Sequence, residues 1–297
     1  MNRFVITLTS VAIGLFCRSA AFGGTITLGS AQNFAVLGGA GVAVNGSCCS
    51  VISGSVGDYP LDLSSITGFT GSTPGSVVNG SFYAADSGLA IAEQAQNDEN
   101  AAFSALAGLS STMNVSGDVL GTVGAGATPG FSTLTPGVYT FSSSAQVDGE
   151  LILNFENDSN ATFVFQIGTT LTTGSSASIV VENANSTDSI YWVVGTSATL
   201  GSSTAFEGNI LAADSISLDP SASIVCGRAL ADTGSVTFAA TNLISDNCTV
   251  DNFSTGATDF GSNGFSGVTS TTPEPGSFLL LGMGLAIIVR KYSARKE

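Results

Sequence analysis

The sequence predicts a mostly β protein, a three-sided β-helix or solenoid with one long α-helix packed alongside. Three observations lead there. The pattern apolar, any, Gly, polar, apolar occurs at Val44 to Cys48, Ile52 to Val56, Val78 to Phe82, Val115 to Val119, Val147 to Leu151, Phe206 to Ile210 and Val225 to Ala229. The segment FVFQIGTTLTTGSS from Phe163 returns 27 residues later as IYWVVGTSATLGSS from Ile190, with Gly168 matching Gly195 and Thr172 matching Thr199. A single stretch, SGLAIAEQAQNDENAAFSALAGL, has helical spacing.

Each glycine pattern reads as a strand whose apolar pair points inward, with the glycine at a bend or close backbone approach. Recurrence at 18 to 27 residues, with turn-rich linkers between copies, is the mark of stacked coils rather than of unrelated strands. The helix is expected over residues 86–109, with Asp86 as its N-cap. Ile91, Ala95, Ala102, Leu106 and Leu109 form its apolar stripe, and that stripe needs a sheet to lie on. Trp192 and the phenylalanines are read as core.

Of seven basic residues, six lie in the terminal tails and only Arg228 is in the body. Residues 24–272 hold one basic against twenty acidic residues, a net of −19. Nucleic-acid binding rests on Lys and Arg neutralising phosphates, so that function class is excluded. Without histidine a Ser-His-Asp triad is excluded; with no Cys-x-x-Cys either, no cysteine or histidine metal site and no cofactor are expected.

Residues 1–23 follow the secretory pattern, with Arg3, an apolar run from Phe4 to Phe16, and small residues Ser19, Ala20 and Ala21 before the cut. Residues 24–248 form the folded domain, and residues 249–272, rich in Ser, Thr and Gly, a flexible linker. Residues 273–297 begin Pro273-Glu274-Pro275 and continue with an apolar stretch, Ser277 to Val289, too short to span a bilayer as a helix, and a basic end. This tail resembles a PEP-CTERM sorting signal. The resemblance implies a Gram-negative bacterium, an exosortase that removes the tail after transient membrane anchoring, and delivery to the cell surface or extracellular matrix. Export suits disulfides for Cys48, Cys49, Cys226 and Cys248. Three pairings are possible; the reading favours Cys226 with Cys248, because a vicinal Cys48–Cys49 bridge is strained.

Aligning the strands VYTF, TLTT, SATL, SISL and SVTF sets Tyr139, Leu171, Ala198, Ile216 and Val236 toward the core. Thr140, Thr172, Thr199, Ser217 and Thr237 then face outward, all bearing hydroxyls. A second outward column holds Thr170, Ser197, Ser215 and Ser235, broken by Val138. With coils about 4.8 Å apart, these columns make an uncharged grid able to order water, whereas Asp148, Glu150, Glu207 and Arg228 are read as outward on other sides, Arg228 in a structural ion pair or backbone contact.

Here the sequence resembles the bacterial and fungal ice-binding proteins of the DUF3494 type. The resemblance rests on LGSAQNFAVLGGAGV from Leu28, ISGSVG from Ile52, VNGSFYAAD from Val78, LTPGVY from Leu134, FVFQIGTTLTT from Phe163, WVVGTSATLGSSTAFEGNILA from Trp192 and GRALADTGSVTFAATN from Gly227. It implies a discontinuous right-handed β-helix built from segments before and after the helix. It also implies adsorption to ice through a flat face, which slows ice growth and recrystallisation. Thr70-Gly71-Ser72-Thr73 matches a motif that some members carry on that face, which adds Thr70 and Thr73 to the expected ice contacts.

Two other classes have candidate features in the sequence. Asp148 and Glu150, flanking a glycine, are the carboxylate pair that a polysaccharide-degrading enzyme would use. One body arginine is too little positive charge to stabilise such a reaction, so no enzyme is expected. The alternative binding reading is an extracellular matrix or adhesin solenoid whose ligand is exopolysaccharide.

Overall fold

The computed structural model describes residues 26–46, 49–70, 75–115, 119–122, 131–185 and 187–246. The leader, the linker, the sorting tail, Thr73, Cys48 and Cys248 lie outside the described residues.

Three sheets of nine, eight and eight strands run along the coils, and every pairing between strands is parallel. One coil shows the logic. Thr162–Ile167 lies in the first sheet, Leu171–Thr173 in the second and Ser178–Glu182 in the third. The next coil begins with Ser189–Val194, paired in register with Thr162–Ile167. The 27-residue repeat in the sequence is therefore one turn of the solenoid, which continues with smaller turns, Tyr191 pairing with Asn209 and Ile210 with Ala229.

The glycine repeat needs correcting. Its glycines end strands rather than sit within them, and they mark more than one corner. Gly54, Gly80, Gly208 and Gly227 separate third-sheet strands from first-sheet strands, while Gly149 separates Ala145–Val147 from Glu150–Asn154 at the corner before. Gly54 (φ 118°) and Gly208 (φ 100°) show why the residue is required, since side chains rarely adopt this backbone.

Burial separates the sheets. All six residues of Ser189–Val194 are buried, because one face meets the core and the other meets the helix. Inside, Tyr139, Phe165 and Trp192 are register neighbours whose rings stack, Phe165 on Trp192 with centroids 3.8 Å apart and Tyr139 on Phe165 at 5.5 Å. Trp192 has no exposed surface, and its Nε1 donates to the Glu207 carbonyl at 3.0 Å. On the outer face of this sheet Val138, Val164, Tyr191, Leu211 and Leu230 meet Ala95, Ala102 and Leu106 of the helix, where the two alanines let it approach closely.

The helix spans Leu89–Ala107. Asp86 is not its N-cap. An Ala84–Ser87 bridge turns the chain before the helix, Gly88 (φ 81°) opens it, and the Asp86 carboxylate accepts the Leu63 N–H at 2.6 Å. Ile91, expected in the apolar stripe, is 47% exposed, whereas Gln96 and Glu99 are buried.

The solenoid is discontinuous. Phe34–Gly38, near the start of the chain, lies between Ser55–Asp58 and Ala229–Ala231, near its end. The first sheet thus runs from Phe82–Tyr83 at one end to Met113–Asn114 at the other. Nine strands span about 38 Å at about 4.8 Å per step. A 19-residue helix covers about 28 Å of that, and its flanking residues complete the return. Arg228, read from sequence as outward, is buried at this join. Its Nε donates to the Gln32 carbonyl at 2.9 Å and its Nη1 to Asn209 Oδ1 at 3.2 Å.

Candidate functional site

The second sheet runs, in spatial order, Ile66–Thr67, Val42–Val44, Val236–Phe238, Ile216–Leu218, Ala198–Leu200, Leu171–Thr173, Ala145–Val147 and Val119–Leu120. Most of these strands are three residues long, with apolar or small first and third positions. Alternation turns those two inward and leaves the middle residue facing out. In Ala198–Leu200, Ala198 and Leu200 are buried and Thr199 is exposed.

Register aligns the outward residues into one column: Thr67, Ala43, Thr237, Ser217, Thr199, Thr172, Gln146 and Val119. Ser217 and Thr237 share a hydrogen bond of 3.0 Å. The neighbouring column precedes the strands and is carried by the same ladder. Ala145 N–H donates to the Thr170 carbonyl, Leu171 to Ser197, Ala198 to Ser215, Ile216 to Ser235 and Val236 to Gly41. Thr170, Ser197, Ser215 and Ser235 therefore stand side by side, with Ser144, which precedes Ala145, next in line.

Thr172, Thr199, Ser217 and Thr237 thus share one column and Thr170, Ser197, Ser215 and Ser235 another. Thr140 does not join them. It lies in Gly137–Phe141 of the helix-backed sheet, paired with Gln166. Its Oγ1 donates to Gln166 Oε1 at 2.7 Å, and Gln166 Nε2 donates to the Leu106 and Leu109 carbonyls at 2.8 and 2.9 Å. Thr140 therefore orients the amide that caps the helix C-terminus. The alignment went astray because VYTF alternates just as SATL does. The strand of that coil facing this way is Ala145–Val147, preceded by Ser144 in the same frame, Ser-Ala-Gln-Val against Ser-Ala-Thr-Leu. Ser144, Gln146, Thr67 and Ala43 are the face residues that sequence reading missed. Thr70 is exposed in the bend beyond Ile66–Thr67 and belongs to neither column.

Neither column holds a charged residue; Asp214 and Asp219 flank the strand Ile216–Leu218 at its two ends. Asp148 follows the end of Ala145–Val147 and Glu150 opens Glu150–Asn154 on the next sheet, with the corner glycine Gly149 between them, so they do not share one strand as read from sequence. Glu207, read as outward, is 7% exposed. Desolvation pushes its carboxyl well above the ordinary range. Burial, then the charge of Asp232, raises Glu99 to about 8. Both groups sit away from the hydroxyl columns, in the third sheet's Ala205–Glu207 and in the helix. The face itself offers no acid, base or activated nucleophile, only hydroxyls and methyls repeating about every 4.8 Å across strands and about 6.7 Å along them.

Fold and face together define a β-solenoid presenting an uncharged, in-register hydroxyl array. The model of the ice-binding-like family matches residues 36–244, and the chain belongs to that family. A PEP-CTERM protein-sorting motif matches residues 271–296. An ice-binding protein of Nostoc sp. (strain HG1) is 44% identical over 247 residues, 83% of this chain and 84% of that protein. One from Leucosporidium sp. (strain AY30) is 32% identical over 220 residues, 70% of this chain and 79% of its own length. Among solved structures, an ice-binding protein from the Antarctic ascomycete Antarctomyces psychrotrophicus superposes with a TM-score of 0.64 at 33% identity, over 74% of this chain and 97% of that one. The DUF3494 domain of Shewanella frigidimarina ice-binding protein 1 does so with 0.63 at 28% identity, over 73% and 95%.

Proposed function

We propose that the chain is a secreted ice-binding protein that adsorbs to ice through the second sheet. The observation that carries this is the register of Thr172, Thr199, Ser217 and Thr237, four hydroxyl residues side by side on successive coils without an intervening charge. A single hydroxyl-to-water bond contributes only about 1 kcal/mol net, so adsorption is collective and needs the groups held at a fixed spacing. Threonine adds a methyl beside each hydroxyl, so apolar surface leaves liquid water as the polar groups dock. Molecules held this way force the ice front to grow as curved surfaces between them, which lowers the freezing point and blocks recrystallisation. The names of the Nostoc and Leucosporidium relatives support the reading.

The sorting motif supports processing by an exosortase and residence at the surface or matrix of a Gram-negative cell. Disulfides belong to the same proposal: Cys49 and Cys226, the latter at the buried end of Ser223–Cys226, are both disulfide-bonded, and pairing Cys226 with Cys248 would leave Cys49 only the strained vicinal bridge to Cys48, so the favoured bridge joins Cys226 to the Cys48–Cys49 pair.

Purified residues 24–248 are tested on single ice crystals. Faceted, hexagonally shaped crystals with slowed recrystallisation are expected. Smooth discs, with binding to secreted glycan, would reassign the face to exopolysaccharide.

A further inference from the structure

Midway along the helix two hydrogen bonds clamp it to the end of a strand. Gln96 Nε2 donates to the Ala231 carbonyl at 3.3 Å, and Asn100 Nδ2 donates to Asp232 Oδ1 at 2.6 Å. Glu99 stands between those residues with no exposed surface, and neither of its carboxylate oxygens has a hydrogen-bond partner. Gln96 Oε1, on a side chain 5% exposed, is partnerless too. Gln96 and Glu99 are three apart and share a helix face. Asp232 is close enough for its charge to act on Glu99.

Glu99 and the Gln96 amide oxygen, acceptors without partners, thus lie buried on one helix face, with the half-buried Asp232 carboxylate against the adjoining Asn100. The body's one cationic side chain, Arg228, donates to Gln32 and Asn209. The charge that acts on Glu99 is that of Asp232, of the same sign, so a proton or a cation has to balance the pair. A proton on Glu99 supplies a single donor for three partnerless oxygens, whereas a metal ion contacts all three.

We propose that Glu99, Gln96 and Asp232 bind a divalent cation, Ca2+ in preference to Mg2+. Two carboxylates balance its charge. Ca2+ accepts irregular sets of carboxylate, amide and water oxygens, whereas Mg2+ demands a near-ideal octahedron that one helix face and one strand end are poorly placed to supply; waters entering beside Asp232 would complete the shell. Half-buried Asp232 is the ligand nearest solvent. The ion would pin the helix beside Ala229–Ala231, the strand that pairs with Phe34–Gly38, and so hold the join between the two ends of the fold.

The test is calorimetric titration of chelator-treated protein with CaCl2, together with melting curves in CaCl2, in MgCl2 and with chelator. Uptake of one Ca2+ per chain and a melting temperature raised by several degrees, more than by Mg2+, are expected. Glu99→Gln keeps the shape, removes the charge and should abolish both. Asp232→Asn, at a more open position, carries the same test if the first variant fails to fold. Absence of uptake, uptake undiminished in both variants, or a melting temperature that follows pH but not Ca2+ would each overturn the site, the last assigning the charge balance to a proton.

Discussion

The hydroxyl oxygens of Ser217 and Thr237 lie 3.0 Å apart on neighbouring coils. Bonded to each other along the solenoid axis, they lose rotamer freedom before any ligand arrives, and their remaining lone pairs stay available to water. Thr173 and Thr204 make a similar contact at 2.7 Å inside the solenoid, where Thr173 Oγ1 also accepts the Gly201 N–H. There the same chemistry satisfies buried polar groups. Direction of the side chain, and not residue type, separates the two roles.

Thr199→Tyr tests the face at its middle. Thr199 is exposed and flanked in register by Thr172 and Ser217. A ring standing above the column keeps both neighbours from the ice. Ice shaping and thermal hysteresis should fall about tenfold or more, since roughly 1.4 kcal/mol of adsorption is a factor of ten. The melting temperature should stay within about 2 °C, as for most surface substitutions. Retained activity would move the contact to another sheet.

Thr140→Val tests the correction made above. Losing the hydroxyl that holds Gln166 should cost about 1 kcal/mol of unfolding free energy in denaturant titration. Ice activity should be unchanged, because Thr140 lies on the helix-backed sheet.

Much of this was legible in the sequence. The 27-residue repeat predicted both the coil length and the pairing of Thr172 with Thr199. The helix was visible from its alanine and leucine spacing, but its start was not. A Gly-opened helix has no side-chain signature, and Asp86 offered a false one. Thr140 failed for a related reason, since alternation reports that a residue faces out of the coil but not from which of three sides. Strand alternation sets Glu207 and Arg228 outward, whereas both are buried beside Gly208 and Gly227; the backbone contact expected of Arg228 is made, to the Gln32 carbonyl. The insertion of Phe34–Gly38 beside Ala229–Ala231 pairs residues nearly two hundred positions apart, which no local pattern reports.

Glu207 makes stability depend on pH. An unfolded glutamate titrates near 4.5, and the folded one well above that. Between the two values the folded chain holds a proton that the unfolded chain has lost, so its contribution is full below about 4.5 and declines as pH rises toward the folded value. Glu207→Gln should flatten this decline and leave the variant more stable than the parent at about pH 8. Chemical denaturation on either side of that window checks it. Ice shaping, which depends on columns without a titratable group, should not follow the same curve.

Trp192→Ala should destabilise by about 3–5 kcal/mol, the range for large aromatics truncated in a core. Trp192 lies on Phe165 and beside Phe206, with ring centroids 3.8 and 5.0 Å away, so its loss opens the middle of the aromatic stack. Thermal unfolding followed by circular dichroism would show it, and an unchanged midpoint would mean that the rings repack.

The seating of Phe34–Gly38 between Ser55–Asp58 and Ala229–Ala231 also sets when the molecule can become whole. A strand synthesised early must wait for almost the last described strand to be made. Until then both halves display unsatisfied strand borders. The wall bearing Ala43 and Thr237 comes together only at that final closure, so a nascent chain caught in transit carries an unfinished face.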